Sequence, residues 1–210
     1  MSHLTHAVPS LGFPAALLAP FMLCGAIAAG PVNVSARGQQ PPDVVRLSKQ
    51  MPDGRRWMVA NLDVPVAGSY CFDDVDTNCR RYGRMYTWEA AQTACRALGA
   101  GWRLPTDDDW RGLAKQYGGI HGDGTDGGTA AYAALRVGGT SGFDAVLGGN
   151  RDERDGRYAR LEAHGFYWTA SVGEAGHARF YNFGSGGRAL YRQESGSVGM
   201  AISVRCVSGE

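Results

Sequence analysis

The placement of cysteine constrains this chain more than any other feature. Five cysteines occur in 210 residues: Cys24 lies in an uncharged apolar stretch, and Cys71, Cys79, Cys95 and Cys206 lie in the polar remainder. Residues 11–29 (LGFPAALLAPFMLCGAIAA) are almost all apolar, are interrupted by Pro14 and Pro20, and end in small residues. Ala26-Ile27-Ala28 is the A-x-A pattern that a signal peptidase reads. The first Lys or Arg is Arg37 and the first acid is Asp43. Residues 1–29 are therefore expected to be a cleavable export signal. Cleavage removes Cys24 and leaves an even number of cysteines in a compartment that permits disulfides; four cysteines have three connectivities, all open at this point.

An uncleaved apolar stretch of about twenty residues would instead anchor the chain in a membrane. Lipidation at Cys24 is a second alternative, disfavoured by the bulk of Phe21-Met22-Leu23 before it. The prolines and the small-residue exit favour cleavage, so the protein is expected outside the cytoplasm: secreted, periplasmic or on a bacterial cell surface. With 21 basic and 20 acidic residues, a formal charge of +1 and no block of like charge, the chain lacks the footprint that nucleic acid or anionic lipid requires.

Residues 30–50 are rich in Pro, Gln, Gly and Ser without apolar periodicity and are read as a flexible linker, so that one folded domain occupies 51–210. Residues 56–62 (RWMVANL) read as a first strand after the Asp53-Gly54 turn, and 71–79 as a polar, Asp-rich loop. Thr87 is placed to cap a helix over 88–98, with Trp88, Ala91, Cys95 and Leu98 on one face. Thr106 is placed to cap a second helix whose apolar stripe is Trp110, Leu113, Ala114 and Tyr117. From 118 to 165 glycine is frequent and periodicity vanishes, which predicts a long irregular region with one short element near 130–135. Strands are expected at 166–171, 178–183, 189–192 and 200–207, making an α+β domain.

Four separated stretches, Asp53-Gly54-Arg55-Arg56-Trp57-Met58-Val59-Ala60-Asn61-Leu62, Tyr82-Gly83-Arg84-Met85-Tyr86-Thr87-Trp88, Gly101-Trp102-Arg103-Leu104-Pro105-Thr106 and Ser203-Val204-Arg205-Cys206-Val207, resemble in order the Fibrobacter succinogenes major paralogous domain family. The resemblance implies a C-type-lectin-like fold related to that of formylglycine-generating enzymes. It further implies a pairing of Cys95 with Cys206, and of Cys71 with Cys79 as a local clip.

The Asp107-Asp108-Asp109 cluster directly follows a capping Thr and is read as a helix N-terminus rather than a metal site. The stretch from His121 to Gly128 (HGDGTDGG) lacks the spacing and closing Glu of an EF-hand loop, so no metal or cofactor is assigned, with a structural calcium left open. Glu-Pro-Asn and Trp-Asn-Asp, the calcium and sugar motifs of true C-type lectins, are absent. The reactive cysteine pair of formylglycine-generating enzymes is not matched, since Cys206 alone lies near the end of the chain. His164 and His177 stand isolated, and no nucleophile, base and orienter set emerges. The remaining candidate is a recognition surface on the carboxy-terminal strands, made of Tyr181, Asn182, Arg188, Tyr191 and Arg192, because Tyr and Arg combine contact area with polar handles. The expected function is non-catalytic binding or adhesion to a protein or glycan at the cell surface. An enzyme of the sulfatase-modifying type and a structural surface component are the alternatives.

Overall fold

The computed structural model describes residues 47–99, 101–123 and 126–209. The expected export signal with Cys24, most of the linker, and Gly124 and Thr125 of the glycine-rich loop lie outside the described residues. The elements run β1 (Ser48–Gln50), β2 (Arg56–Met58), β3 (Ser69–Tyr70), α1 (Asp76–Tyr82), β4 (Met85–Tyr86), α2 (Trp88–Arg96), β5 (Trp102–Arg103) and α3 (Asp107–Lys115). They continue with α4 (Thr129–Leu135), β6 (Asn150–Arg151), β7 (Tyr158–Ala159), β8 (His164–Val172), β9 (His177–Gly184), β10 (Leu190–Ser197), β11 (Ile202–Ser203) and β12 (Val207–Ser208). The α+β class is as expected.

The strands form a four-stranded sheet in the order β1-β2-β12-β5, a six-stranded sheet in the order β10-β9-β8-β11-β4-β3, and the small hairpin β6-β7. β12 lies antiparallel between β2 and β5, with Val207 opposite both Trp57 and Arg103, so the end of the domain closes on its beginning. The domain also starts earlier than its composition suggested. Ser48, Lys49 and Gln50 pair with Met58, Trp57 and Arg56 across the Asp53-Gly54 turn, although they fall in the segment read as linker. That strand carries no apolar alternation; its backbone ladder holds it, with the Lys49 amino group donating to Ser141 O at 2.7 Å.

The reading of 71–79 as a loop is corrected. A 3₁₀ turn over Phe72–Asp74 leads into α1, with Asp76 in its first turn, Arg80 and Arg81 in its last, and the Cys71–Cys79 bridge clasping it. Seven residues are too few to show a helical stripe, but the charge order suits the helix dipole. Gly83 ends α1 at φ 75°, where a Cβ would lie 2.4 Å from the Asn61 Cβ. The predicted caps stand as expected: the Thr87 side chain accepts from Ala90 N, and Thr106 and Asp109 form a reciprocal capping box. The glycine-rich region contains α4 and the β6-β7 hairpin, more order than its sequence suggested. The strand expected over 200–207 is split into β11 and β12.

Side chains alternate across β8 and β9 and so feed two cores. One holds Trp168, Ala178, Tyr86, Leu98, Ile202 and the Cys95–Cys206 bridge. The other gathers Tyr167, Tyr181 and Phe183 around Trp110, which meets Trp57 edge-on at 5.1 Å and Tyr181 in a stack at 5.0 Å. Asp109 joins the sheet to α3: it accepts from Arg103 and lies 2.7 Å from the Arg55 guanidinium.

Cys95 and Cys206 are 111 residues apart, so loop entropy gives their bridge about 4–5 kcal/mol and the eight-residue clip of Cys71–Cys79 about 2–3. Urea denaturation of Cys95→Ala/Cys206→Ala is expected to show the larger loss, and equal losses for the two pairs would contradict the loop argument. Asp109 gives a pH signature. Burial opposes its ionisation, but the Arg103 guanidinium and the Thr106 N–H outweigh that and hold the carboxyl below its usual value. A carboxyl depressed in the folded state contributes stability that is full above about pH 4, its unfolded value, and is lost as pH falls through the lowered one. Urea midpoints measured from neutral to acid pH should therefore fall less steeply for Asp109→Asn than for the parent chain.

Candidate functional site

The two faces of the β8-β9-β10 ribbon are finished differently. Tyr167, Tyr181 and Phe183 point into the core under α3. On the opposite face His164, Phe166, Phe180 and Asn182 run along β8 and β9, with Phe166 opposite Asn182 and Gln193 of β10 opposite Phe180. Beyond Phe166 and Phe180 this face is only half covered, and it forms the wall of an open cleft of about 330 Å³. Met200 and Ile202 line it together with Asn150 and Arg160, the β6 segment being bridged to residue 201 through Arg151.

The groups in the cleft are mutually fixed. The His164 ring stacks on Phe166 at 5.2 Å with planes 4° apart, and Phe166 meets Phe180 edge-on at 5.8 Å. His164 Nδ1 lies 3.0 Å from Asn182 Oδ1. With Nδ1 donating to that oxygen, Nε2 remains an acceptor and the Asn182 amide nitrogen a donor. Arg160 donates to Asn150 Oδ1 at 3.0 Å, which orients the guanidinium and leaves it further donors. A register shift in β10 between Gln193 and Gly196 shapes the rim. A Cβ on Gly196 would fall 2.6 Å from Met200 Cε and 2.7 Å from the Phe180 ring, so only glycine lets both close in. Half-buried aromatic faces ringed by three amides, an imidazole and a guanidinium can hold a ligand with one flat apolar side and polar edges.

The five residues expected to form a recognition surface are divided by the fold. Asn182 lines the cleft. Tyr181 is fully buried, its hydroxyl 3.1 Å from Asp107 Oδ1, so it belongs to the core and not to an exposed face. Burial and the neighbouring Asp107 carboxylate raise its pKa. Arg192 is spent inside the molecule: its Nε donates to both Asp107 oxygens, at 2.7 and 2.9 Å, and its Nη1 pairs with Glu194. Tyr191 packs on His121 with ring centroids 4.6 Å apart, and Arg188 is exposed at the β9-β10 turn. Asp107 therefore does more than cap α3; only the exposed Asp108 is left to that simple role. Sequence reasoning passed over His164, Phe166, Phe180 and Arg160. The signal was present for three of them, since His164 and Phe166, and likewise Phe180 and Asn182, are spaced by two on neighbouring strands.

The four described cysteines are joined in the two bridges, and among the described residues no group of three or more His, Cys, Asp or Glu is placed to hold a metal ion. Among the same residues no helix is long and apolar enough to cross a membrane. Fold and site together define a disulfide-tied α+β domain with an aromatic cleft on one sheet face. The model of the Fibrobacter succinogenes major domain matches residues 50–208, and the chain belongs to that family. No curated protein and no solved structure matches it.

The ion pair that withdraws Arg192 from the surface is itself testable. Asp107→Ala removes the carboxylate that accepts from the largely buried Arg192 Nε and from the Tyr181 hydroxyl, leaving the hydroxyl only the backbone oxygen of residue 107 at 3.3 Å and the guanidinium only Glu194, for an expected loss of about 2–4 kcal/mol in urea denaturation. A loss under about 0.5 kcal/mol, the range of an ordinary surface change, would show that the pair contributes nothing.

Proposed function

We propose that this domain is an exported, non-catalytic binding module of C-type-lectin-like fold that recognises a protein or glycan at the bacterial cell surface through the His164–Asn182 cleft. The observation that carries the reading is the cleft itself, where stacked aromatic faces and oriented hydrogen-bonding groups stand together on a rigid sheet. Such a combination suits recognition, because the groups are positioned before a ligand arrives. The lectin-like fold is supported by the pairing of the last strand, β12, with β2 near the start of the domain and by the bridge from the end of α2 to Cys206, the pairing that the family resemblance implied. Two disulfides suit an oxidising compartment and so support export. With its described cysteines bridged, the domain lacks there the free thiol that a formylglycine-type oxidase would need.

The test is a glycan and peptide array probed with the exported protein, purified without reductant. His164→Ala, Asn182→Ala and Arg160→Ala are exposed or half-exposed changes that should each weaken an array ligand about tenfold, the effect of a single good contact, with little change in melting temperature. Array ligands held with full affinity by all three variants would remove the cleft from the reading.

A further inference from the structure

Two hollows on another part of the surface adjoin the cleft segment without sharing a residue with it. One, of about 330 Å³, is lined by Arg81, Val137 and Glu162 among others. The second, of about 590 Å³, is lined by Ser185 and Arg188 among others. Tyr132, Arg136 and Leu147 line both, so the two hollows adjoin across these side chains and are taken together as one groove beside α4, with the β9-β10 turn lining the second.

Three features of the groove point the same way. Its charge is unbalanced: Glu162 already accepts from Arg81 and from the Tyr82 hydroxyl, whereas among the described residues Arg136 and Arg188 have no side-chain hydrogen-bond or ion-pair partner. Its walls are apolar between the arginines, with Val137 half exposed and Leu147 half buried. Its backbone is held in costly conformations. Apart from aspartates, the non-glycine residues at positive φ are Arg160 at 63°, Glu162 at 59° and Arg188 at 47°, and the last two line this groove. Such conformations are disfavoured for long side chains and persist where surrounding structure holds them, often at binding sites.

We infer that this groove is a second binding surface, which takes an acidic segment of a partner protein, with carboxylates on Arg136 and Arg188 and apolar side chains on Val137 and Leu147. Guanidinium forks match carboxylates in geometry as well as charge. Tyr82 and Tyr132 are buried, so the groove offers neither the open aromatic face on which a sugar ring would stack nor a platform for nucleic-acid bases. An extended peptide that alternates acid and apolar residues meets both kinds of wall.

The experiment is fluorescence anisotropy with the exported chain and a labelled peptide of alternating Glu and Leu, beside its Gln-for-Glu counterpart and an oligogalacturonate. The acidic peptide should bind and should weaken with added salt. Arg136→Ala/Arg188→Ala should lower its affinity by roughly tenfold or more, with an unchanged circular dichroism spectrum. Arg96→Ala, an exposed arginine outside the groove, and His164→Ala in the cleft should leave it unchanged, so failure here is separable from failure of the cleft. Absence of binding, equal binding of the Gln peptide, or full affinity in the double variant would overturn the inference. Preference for the oligogalacturonate would overturn it in favour of an acidic glycan.

Discussion

The guanidinium of Arg205 is the interaction on which the remainder of the domain depends. It is fully buried, and its donors run to oxygens of two segments distant in sequence: Asn61 Oδ1 at 2.7 Å and Met58 O at 3.1 Å in one, Phe143 O at 2.6 Å and Asp144 O at 2.6 Å in the other. Burial pulls its pKa below the ordinary arginine value, the expected mark of a cation removed from water. The cost of such a burial is several kcal/mol, and it is offset only while each donor keeps its acceptor. Arg205 also lies over the Phe143 ring at 4.7 Å, and Phe143 packs edge-on against Trp57 and Trp110. Asn61 in turn donates to Tyr82 O at the end of α1. One side chain thus fixes the path of β2, the middle of the glycine-rich region and the approach to β12, and makes each a condition of the others.

The next residue, Cys206, ties the same segment to α2, so a covalent bond and a buried cation act on adjacent positions. The bridge limits the unfolded chain, whereas the guanidinium selects among compact arrangements of the folded one. The difference explains how a segment as rich in glycine as 126–165 can be ordered. Its backbone is costly to fix, but Phe143 O, Asp144 O and Ser141 O are each claimed by a cation from elsewhere in the domain, Arg205 or Lys49.

What was legible in the sequence followed from local rules. Thr87 and Thr106 marked two helix starts through their own hydroxyls, the strands of the carboxy-terminal half showed in β-branched and aromatic runs, and the cysteine pairing came with the family resemblance. The misreadings share one physical cause, which is that a partner distant in sequence decides the structure. Ser48–Gln50 is a strand because β2 pairs with it, and α1 forms within a clip of two cysteines. Arg192 looked like a surface arginine until Asp107, 85 residues earlier, was placed against it.

The same argument accounts for the site. Tyr181 and Asn182 are neighbours in sequence and were grouped as one surface, yet strand geometry sends them to opposite faces. Which face is core depends on where the large aromatic of α3 lands, and Trp110 stacks on Tyr181. Once that choice is made, Phe166, Phe180 and Asn182 must face outward together, and the β6-β7 hairpin brings Arg160 to meet them. The cleft is therefore a by-product of how the second core is filled. The polar groups at its edge are then free to vary without touching the packing that holds it open, whereas Gly196, Phe180 and Met200 are not, because each occupies space that the others need.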